Sequence, residues 1–307
     1  MIKYSIIIPH YNAPELLIRC LKSIPISEEI QVIVVDDCSP QADEYISKYP
    51  ELSRPYLEFY STGTNGGGGK ARNVGLSHAK GEWVLFADSD DFFVDNAKEI
   101  WSKYYENKSD IIFFNVKCCT EKNYKVAIRG DKELLYEMYA KRKEENIFRY
   151  CYTVPWGKMI RRNLIENNNI LFEEVSVAND FLFSVKTGYY AKSITISQDY
   201  IYWYVLMENS TCHGKKTLTK TNIRLHEKIK VQKFLESHNV ISDYNLISYV
   251  SRFKDFFPLM TMSEIKTLHS ANYPIWPVFS DRIRLMLRRL LDRKFILNPN
   301  TRHLVNS

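Results

Sequence analysis

The sequence predicts an α/β protein built on an open sheet that is flanked by helices. Two observations lead to this prediction. Short apolar runs rich in β-branched and aromatic residues recur along the first half of the chain, and they are apolar on both faces, as buried parallel strands are. Amphipathic stretches separate the runs, and this alternation is typical of open α/β sheets. The runs are Tyr4–Ile8, Gln31–Val35, Tyr56–Tyr60, Trp83–Ala87 and Ile111–Val116.

The predicted helices carry their own signals. Pro14 and Pro40 stand where a first helical turn tolerates proline, and Ser39 is placed to cap the second helix. Residues 131–205 read as helices followed by a pair of short strands at Ser193–Ile196 and Tyr200–Tyr204. The amphipathic stretches of the first half are Glu15–Ile24, Lys70–Ala79 and Asn96–Tyr105.

Charge divides the chain into two parts. Residues 214–307 hold 17 Lys and Arg against 7 Asp and Glu, whereas residues 1–213 hold 25 basic and 29 acidic side chains. We therefore predict one domain at 1–213 and a basic, helical C-terminal region at 214–307. Within that region, segment 278–294 has apolar positions on one helical face and arginines beside it. It either lies on an anionic inner membrane surface or packs on the first domain with a solvated basic face.

Composition and cysteine spacing indicate a folded protein of a reducing compartment. Hydrophobic residues make up 45% and charged residues 25% of the 307 residues, which is usual for a soluble domain. None of the six cysteines forms a C-x-x-C pair, so a zinc site is not expected. The apolar run at residues 4–8 is too short for a signal sequence, and no run reaches the ~18 residues of a membrane span. We expect a cytoplasmic protein. No nucleic-acid-binding module is recognised, so no nucleic-acid partner is expected.

Acidic residues follow two of the predicted strands directly. Asp36 and Asp37 come after Val35, and the sequence Asp88-Ser89-Asp90-Asp91 comes after Ala87. Ligands of open α/β sheets bind at the carboxyl ends of the strands. Acids gathered there repel one another unless a cation lies between them, and Mg²⁺ or Mn²⁺ prefers carboxylate and phosphate oxygens. The pattern predicts a site for a metal and a diphosphate. The alternative is a solvated acidic turn before the next helix.

A glycine-rich segment, Asn65 to Lys70, is the second candidate ligand site. Its four consecutive glycines allow backbone amides to approach a ligand closely. Lys70 and Arg72 are positioned to contact phosphate. The segment matches neither G-x-G-x-x-G nor the P-loop, because Ala71 follows Gly69-Lys70, so a Rossmann cofactor and a P-loop nucleotide are disfavoured. The alternative is a flexible loop.

Four sequence blocks together resemble the inverting family 2 glycosyltransferases. The likeness runs from residue 3 to about residue 211, and it implies the GT-A fold, an open mixed sheet flanked by helices, here with a helical C-terminal extension. The order and spacing of the blocks are specific, although each block alone is not. The blocks are SIIIPHYN (Ser5–Asn12), VIVVDDCSP (Val32–Pro40), NGGGGKARNVGLSHAKGEWVLFADSDD (Asn65–Asp91) and WGKMIRRNLIENNNILFEEVSVANDFLF (Trp156–Phe183).

The resemblance implies a set of nucleotide-binding residues. Tyr11 matches the aromatic residue that lies against the nucleotide base, and Asp37 matches the acid that reads the base or its ribose. Arg72 matches the basic residue of an A-R-N motif near the nucleotide. The full predicted set is Pro9, Tyr11, Asn12, Asp37, Asn65, Arg72, Asp88 and Ser89.

The resemblance also implies a metal ligand and a base. Asp88 and Asp90 match the outer residues of D-x-D, so that Asp88 would touch the ribose or the metal and Asp90 would hold Mn²⁺ or Mg²⁺ on the diphosphate. Asp180 matches the second residue of a Glu-Asp pair, the catalytic base. This chain has Asn179 as the first residue of the pair, so an amide replaces a neighbouring charge.

A second departure from the family pattern lies near the end of the resemblance. The usual Tyr-x-Tyr-Arg reads Tyr202-Trp203-Tyr204-Val205 and lacks the arginine. Ser210 and Thr211 match a small hydroxyl pair that faces the diphosphate in the family. His213 is late in register for the third metal ligand of some relatives, and an ordinary surface histidine is the favoured interpretation.

The expected activity is transfer of a sugar from a nucleotide-sugar, with UDP as the default nucleotide, to a hydroxyl of a saccharide or a lipid-linked saccharide. The pathway expected from the resemblance is cell-surface polysaccharide or lipopolysaccharide synthesis, with peripheral contact at the inner membrane face left open. Two alternatives remain at this point. One is a nucleotidyltransferase, which also places carboxylates and Mg²⁺ at strand ends. The other is a catalytically silent sugar-binding protein.

Overall fold

The computed structural model describes residues 1–121, 131–207 and 217–240. Within these residues the chain forms one eight-stranded sheet with the strand order β3-β2-β1-β4-β7-β6-β8-β5. The strands are β1 (Tyr4–His10), β2 (Ile30–Asp36), β3 (Leu57–Ser61), β4 (Trp83–Phe86), β5 (Phe92–Phe93), β6 (Ile111–Thr120), β7 (Lys158–Arg161) and β8 (Ile194–Leu206). The predicted open α/β sheet is confirmed.

Helices connect most of the strands. In chain order, those in the described ranges are α1 (Pro14–Lys22), α2 (Ala42–Lys48), α3 (Gly67–His78), α4 (Ala97–Tyr104), α5 (Asp131–Arg142), α6 (Asn146–Cys151), α7 (Arg162–Asn167), α8 (Phe181–Tyr190) and α9 (Leu218–Ser237). A short 3₁₀ turn lies at Pro50–Ser53. Pro14 opens α1, as the sequence predicts.

The sheet is mixed, and its parallel part determines where the candidate site lies. Strands β3, β2, β1 and β4 are parallel neighbours. Strand β7 runs antiparallel between β4 and β6, β8 is parallel to β6, and β5 is antiparallel to β8. The carboxyl ends of β2, β1 and β4 therefore meet at one edge of the sheet.

Hydrophobic layers cover both faces of the sheet, because strand residues alternate between the faces. Ile6 and Ile8 of β1 lie in one buried layer together with side chains of α1 and α4. Ile7 lies in the other layer together with side chains of α3 and α5–α8. All three isoleucines are fully buried. This burial on two faces explains why the sequence of β1 is continuously apolar rather than alternating.

Three local predictions are wrong. The expected strand pair near residues 193–204 is one strand, β8, because it pairs along β6 through a register shift near Asn115. Ser39 does not cap α2, which begins at Ala42; its hydroxyl donates to Asp36 instead. Helix α3 begins at Gly67, three residues before the expected start at Lys70, so most of the glycine run is helical.

Helix α9 follows the predicted domain boundary after residue 213. It packs on α8, where Phe234 meets Tyr189 edge to face, and Met1–Asp243 forms one compact unit. The boundary itself stays a prediction. Segment 278–294, Ser210, Thr211 and His213 lie outside the described residues. Among the helices that the structure describes, none is long and apolar enough to span a bilayer.

Candidate active site

The loops after β1, β2 and β4 form the candidate site. These strands are adjacent and parallel, so the loops emerge side by side at one edge. Pro9 is still within β1, opposite Val35 of β2. Tyr11 follows the strand with 51% of its surface exposed, and Asn12 turns the chain at a φ of +48°. The predicted nucleotide-binding residues of the first block thus lie at the carboxyl end of β1, at this edge of the sheet.

A buried hydrogen-bond network fastens the loop after β1 to the loop after β2. His10 Nδ1 lies 2.9 Å from a carboxylate oxygen of Asp36, which also accepts hydrogen bonds from the backbone N–H and hydroxyl of Ser39. The Ala13 N–H donates to His10 Nε2, so Nδ1 carries the proton that faces Asp36. Burial opposes ionisation of Asp36, but these hydrogen bonds outweigh it and lower the pKa of the carboxyl. Asp36 is therefore a structural anchor.

Asp37 caps the glycine-rich segment. Its two carboxylate oxygens accept the backbone N–H groups of Gly66 at 2.9 Å and Gly67 at 2.6 Å, and the Thr62 hydroxyl donates to it as well. The Asn65 amide donates to the backbone oxygen of Asp37 at 3.0 Å. A carboxylate at a helix N-terminus is favoured by the unpaired N–H groups and the helix dipole. Two of the amides that the sequence assigned to a ligand are thus bonded to Asp37.

Three carboxylates gather after β4. Asp88, Asp90 and Asp91 each offer an oxygen, and these oxygens lie within 4.8 Å of one another. Burial raises the pKa of Asp90 to about 6, and the nearby Asp88 adds to the shift. Burial, together with the charges of Asp90 and Asp88, raises the pKa of Asp91 well above its usual value. Ionising all three groups together is unfavourable without a cation. Ser89 lies half-buried in the turn between the first two acids.

Strand β8 holds this acidic turn in place. The Tyr202 hydroxyl accepts the backbone N–H of Asp88 at 2.8 Å, and the backbone N–H of Val205 donates to one carboxylate oxygen of Asp91 at 2.8 Å. Tyr202 and Asp91 are fully buried. The segment that lacks the expected arginine therefore orients the acids instead. Nothing in the sequence indicates this role, because it depends on β8 lying beside β5 at the sheet edge.

Arg72 links the acidic turn to the fourth block. One guanidinium nitrogen lies 2.5 Å from Asp88 and the other donates to the side-chain oxygen of Asn179 at 2.9 Å. The guanidinium also lies over the Phe172 ring, 5.4 Å from its centroid. Arg72 is only 7% exposed, so its charge acts in a partly dry environment where it interacts strongly with neighbouring groups.

Asp180 stands at the N-terminus of α8. It is the N-cap residue by position, and its side chain makes no capping hydrogen bond. Burial raises the pKa of Asp180, Arg72 opposes the shift, and Asp88 adds to it. A carboxylate with a raised pKa holds a transferred proton more readily than an ordinary carboxylate does.

The structure brings some predicted residues into direct contact and separates others. The Arg72 guanidinium donates hydrogen bonds to the side chains of both Asp88 and Asn179. Asp37 and Asn65 form a second group at the start of α3. Lys70 turns away from the acids, because its ammonium donates to the Thr64 hydroxyl and backbone oxygen. The ligand-binding roles of these residues stay predictions.

One buried lysine whose charge interacts with Asp180 was not predicted. Lys158 of β7 is 2% exposed, and its ammonium donates to the backbone oxygen of Tyr152 at 2.7 Å and faces the rings of Tyr152 and Phe113. Burial holds the pKa of Lys158 well below its usual value, although Asp180 acts in the opposite direction. Lys158 opens the four-residue strand β7, which reads Lys-Met-Ile-Arg, and this short sequence gave no signal of its burial.

A family model and relatives of known sequence match this chain. The model of glycosyl transferase family 2 matches residues 5–168. The poly(ribitol-phosphate) β-N-acetylglucosaminyltransferase TarS of Staphylococcus aureus strain MW2 is 34% identical over 212 residues, which cover 66% of this chain and 35% of that protein. The poly(ribitol-phosphate) β-glucosyltransferase of Bacillus spizizenii is 29% identical over 211 residues, covering 66% of this chain and 32% of that protein. The chain thus spans about a third of the length of these curated relatives.

Solved structures show the same fold. The crystal structure of S. aureus TarS 1–349 in complex with UDP-GlcNAc superposes with a TM-score of 0.58 at 23% identity, and the match covers 91% of this chain and 89% of that one. At this identity the likeness carries the fold alone. It agrees with the GT-A architecture that the sequence blocks imply. The family match covers more than half of the sequence, from the first strand through the acidic turn to the fourth block. The chain therefore belongs to glycosyl transferase family 2.

Proposed function

We propose that this chain transfers a sugar from a UDP-sugar to a hydroxyl of a saccharide acceptor, with inversion at the anomeric carbon, during synthesis of a cell-surface polymer. The observation that carries the proposal is the group of three carboxylates after β4, with Arg72 bonded to the first of them and Asp180 at the start of α8. Membership of family 2 and relatives that glycosylate poly(ribitol-phosphate) support the same activity.

The donor would lie along the edge formed by the ends of β1, β2 and β4. The exposed ring of Tyr11 offers a flat surface for the nucleotide base. Oδ2 of Asp37 accepts the Gly67 N–H and has room for a further donor, whereas Oδ1 already accepts from Gly66 and Thr62. Arg72, through its charge, would stabilise the diphosphate that leaves.

The carboxylate group fits a divalent cation. Its three donors are all oxygens, which Mg²⁺ and Mn²⁺ prefer. One oxygen of Asp91 is buried and has no hydrogen-bond partner among the described residues. Asp90 is the proposed metal ligand, and Asp88 would contact either the ribose of the nucleotide or the metal. The cation, when bound, would act as a Lewis acid that offsets the charge developing on the diphosphate.

Asp180 is the proposed general base. As the bond from the anomeric carbon to the diphosphate oxygen breaks, the acceptor oxygen bonds to the same carbon from the opposite face. The acceptor proton passes to the Asp180 carboxylate, and the nucleoside diphosphate leaves with the bonding electron pair. A single displacement of this kind inverts the anomeric centre, as it does in inverting glycoside hydrolysis. The raised pKa of Asp180 is suited to this transfer.

Release of UDP from UDP-GlcNAc and UDP-glucose with Mn²⁺ tests the proposal. We expect slow hydrolysis by the wild-type protein, and a fall of at least ~100-fold in turnover for both Asp180→Asn and Asp90→Asn. Only Asp90→Asn should also weaken Mn²⁺-dependent UDP binding, measured by calorimetry. Lys70→Gln is a matched control, because Lys70 bonds to its own loop. Normal turnover by Asp180→Asn would remove that residue from the mechanism.

Two other results would replace the proposed activity. Release of pyrophosphate from a nucleoside triphosphate would identify a nucleotidyltransferase. Binding of UDP without any UDP release from a panel of UDP-sugars would identify a silent binding protein. Peripheral contact with the inner membrane face stays a prediction, and co-sedimentation of the full chain with anionic liposomes measures it.

A further inference from the structure

Asn179 bridges two parts of the chain beside the proposed base. Its side-chain oxygen accepts a hydrogen bond from Arg72 at 2.9 Å, and its side-chain nitrogen donates to the backbone oxygen of Val175 at 3.3 Å. An amide satisfies both contacts because it carries an acceptor and a donor. A carboxylate at this position would place one oxygen against the Val175 carbonyl oxygen, and two acceptors facing each other repel.

Packing determines where Asn179 lies. A methyl group added to Gly69 would come within 3.0 Å of the Asn179 Cβ and 2.1 Å of the Glu173 carbonyl oxygen, so the loop rests directly on α3. The Glu173 N–H donates to the backbone oxygen of Asn179 at 3.2 Å. Ala178, immediately before, adopts a φ of +59°, which non-glycine residues rarely do. The loop thus presents the amide to Arg72 in one defined position.

The side chain at position 179 is one hydrogen-bond partner of the Arg72 guanidinium, and Asp88 is another. The guanidinium now has one charged partner, Asp88, and one neutral partner, Asn179. An acid in place of Asn179 would pair with the same guanidinium and weaken its effect on Asp88 and Asp180. It would also add a negative charge in the residue next to Asp180.

We propose that Asn179 is a positioning residue that holds Arg72 through an uncharged hydrogen bond, so that the guanidinium charge stays available to Asp88 and Asp180. This inference rests on the proposed function, in which Asp180 is the base. The role uses both ends of the amide, since its oxygen accepts from Arg72 and its nitrogen donates to the Val175 carbonyl oxygen.

The environment of Asp180 gives the direction of the expected effect. Burial raises the pKa of Asp180, and the Arg72 charge opposes that shift. A new negative charge at position 179 would raise the pKa further, because it disfavours a second carboxylate nearby. Among the described residues, the other charged groups that interact with Asp180 or with its neighbour Phe181 include Asp88 after β4, Lys132 of α5, Lys158 of β7 and Lys228 of α9.

Two substitutions separate the effect of charge from the loss of contact. Asn179→Asp has the same shape but adds the charge, and Asn179→Ala removes both hydrogen bonds and adds none. The readout is kcat for UDP release from UDP-GlcNAc with Mn²⁺, measured between about pH 6 and 9. For Asn179→Asp we expect the acid limb of the profile to move up by about one pH unit, so that activity returns at high pH. For Asn179→Ala we expect a loss of about tenfold at every pH.

The outcomes distinguish this inference from the proposed function. A wild-type protein that releases no UDP from any UDP-sugar refutes both. UDP release by the wild type, with an acid limb of Asn179→Asp that coincides with the wild-type limb, overturns this inference alone. Equal losses in the two variants at every pH show a merely structural role and overturn it as well. Should Asn179→Asp not fold, as judged by its thermal midpoint, a kcat of Asn179→Ala equal to that of the wild type is sufficient to refute the inference.

Discussion

Gly69→Ala gives the most direct test of how the fourth block is held over α3. The added methyl would lie 2.1 Å from the carbonyl oxygen of Glu173, whereas an ordinary contact begins at 3.4 Å. Since the oxygen belongs to the backbone, no side-chain rotation relieves the clash, and the loop that carries Asn179 and Asp180 must move by about 1 Å. Such overpacking costs about 1–3 kcal/mol of stability.

The displacement should affect catalysis more than stability. A misplacement of about 1 Å at a reacting group lowers turnover by about 10²-fold, so we expect a loss of this size in kcat for UDP release from a UDP-sugar. The assay is UDP release with Mn²⁺, alongside the thermal midpoint of the same preparation.

Gly81→Ala is the matched control. Its methyl would meet the backbone of Ser5 and Tyr4 at 2.5 and 2.6 Å, just before β4 begins and thus at the opposite edge of the sheet. It should lower the thermal midpoint but leave the turnover of the folded fraction near that of the wild type. Gly69→Ala with wild-type turnover, or an equal loss of turnover in both variants, refutes the reasoning.

Three further predictions follow from the capping, base and anchoring contacts. Asp37→Ala leaves the Gly66 and Gly67 N–H groups without their acceptor and should lower the free energy of unfolding by about 1–3 kcal/mol in urea titrations, whereas an unchanged midpoint would contradict the capping role. Burial raises the pKa of Asp180, so the ionised carboxylate destabilises the folded state at pH values above that raised pKa. Below the ordinary value of 3.8 the carboxyl is protonated in both the folded and the unfolded state, and the effect disappears. Asp180→Asn should therefore raise the thermal midpoint at about pH 8 and leave it unchanged at about pH 3.5. Tyr202→Phe removes the acceptor of the Asp88 N–H and should weaken Mn²⁺-dependent UDP binding, measured by calorimetry, while Tyr204→Phe serves as its control.

Local sequence patterns were sufficient to predict the strands of the parallel half of the sheet. The apolar runs near residues 4, 31, 57 and 83 each became a strand, because burial on both faces requires continuous hydrophobicity and little else. The acids after β2 and β4 were found for a similar reason, since a strand end identifies the edge where its next residues lie. The two-residue strand β5 was not predicted, and β8 was predicted as two short strands, because pairing with a distant partner defines these strands and not their own composition.

What the acids do at that edge depends on the tertiary structure. The sequence placed Asp37 near a ligand, and only the fold shows its oxygens bonded to the start of α3. The contact between Arg72 and Asn179 joins residues 107 positions apart, and no periodicity or spacing in the chain encodes it. The sequence by itself determined the parallel half of the sheet, the family and the residue types of the candidate site, since hydrophobic pattern and strand ends are local properties. Which side chain pairs with which, and so which carboxylates are anchors and which remain for chemistry, was decided by packing between distant segments, because hydrogen bonds and charges act through space and not along the chain.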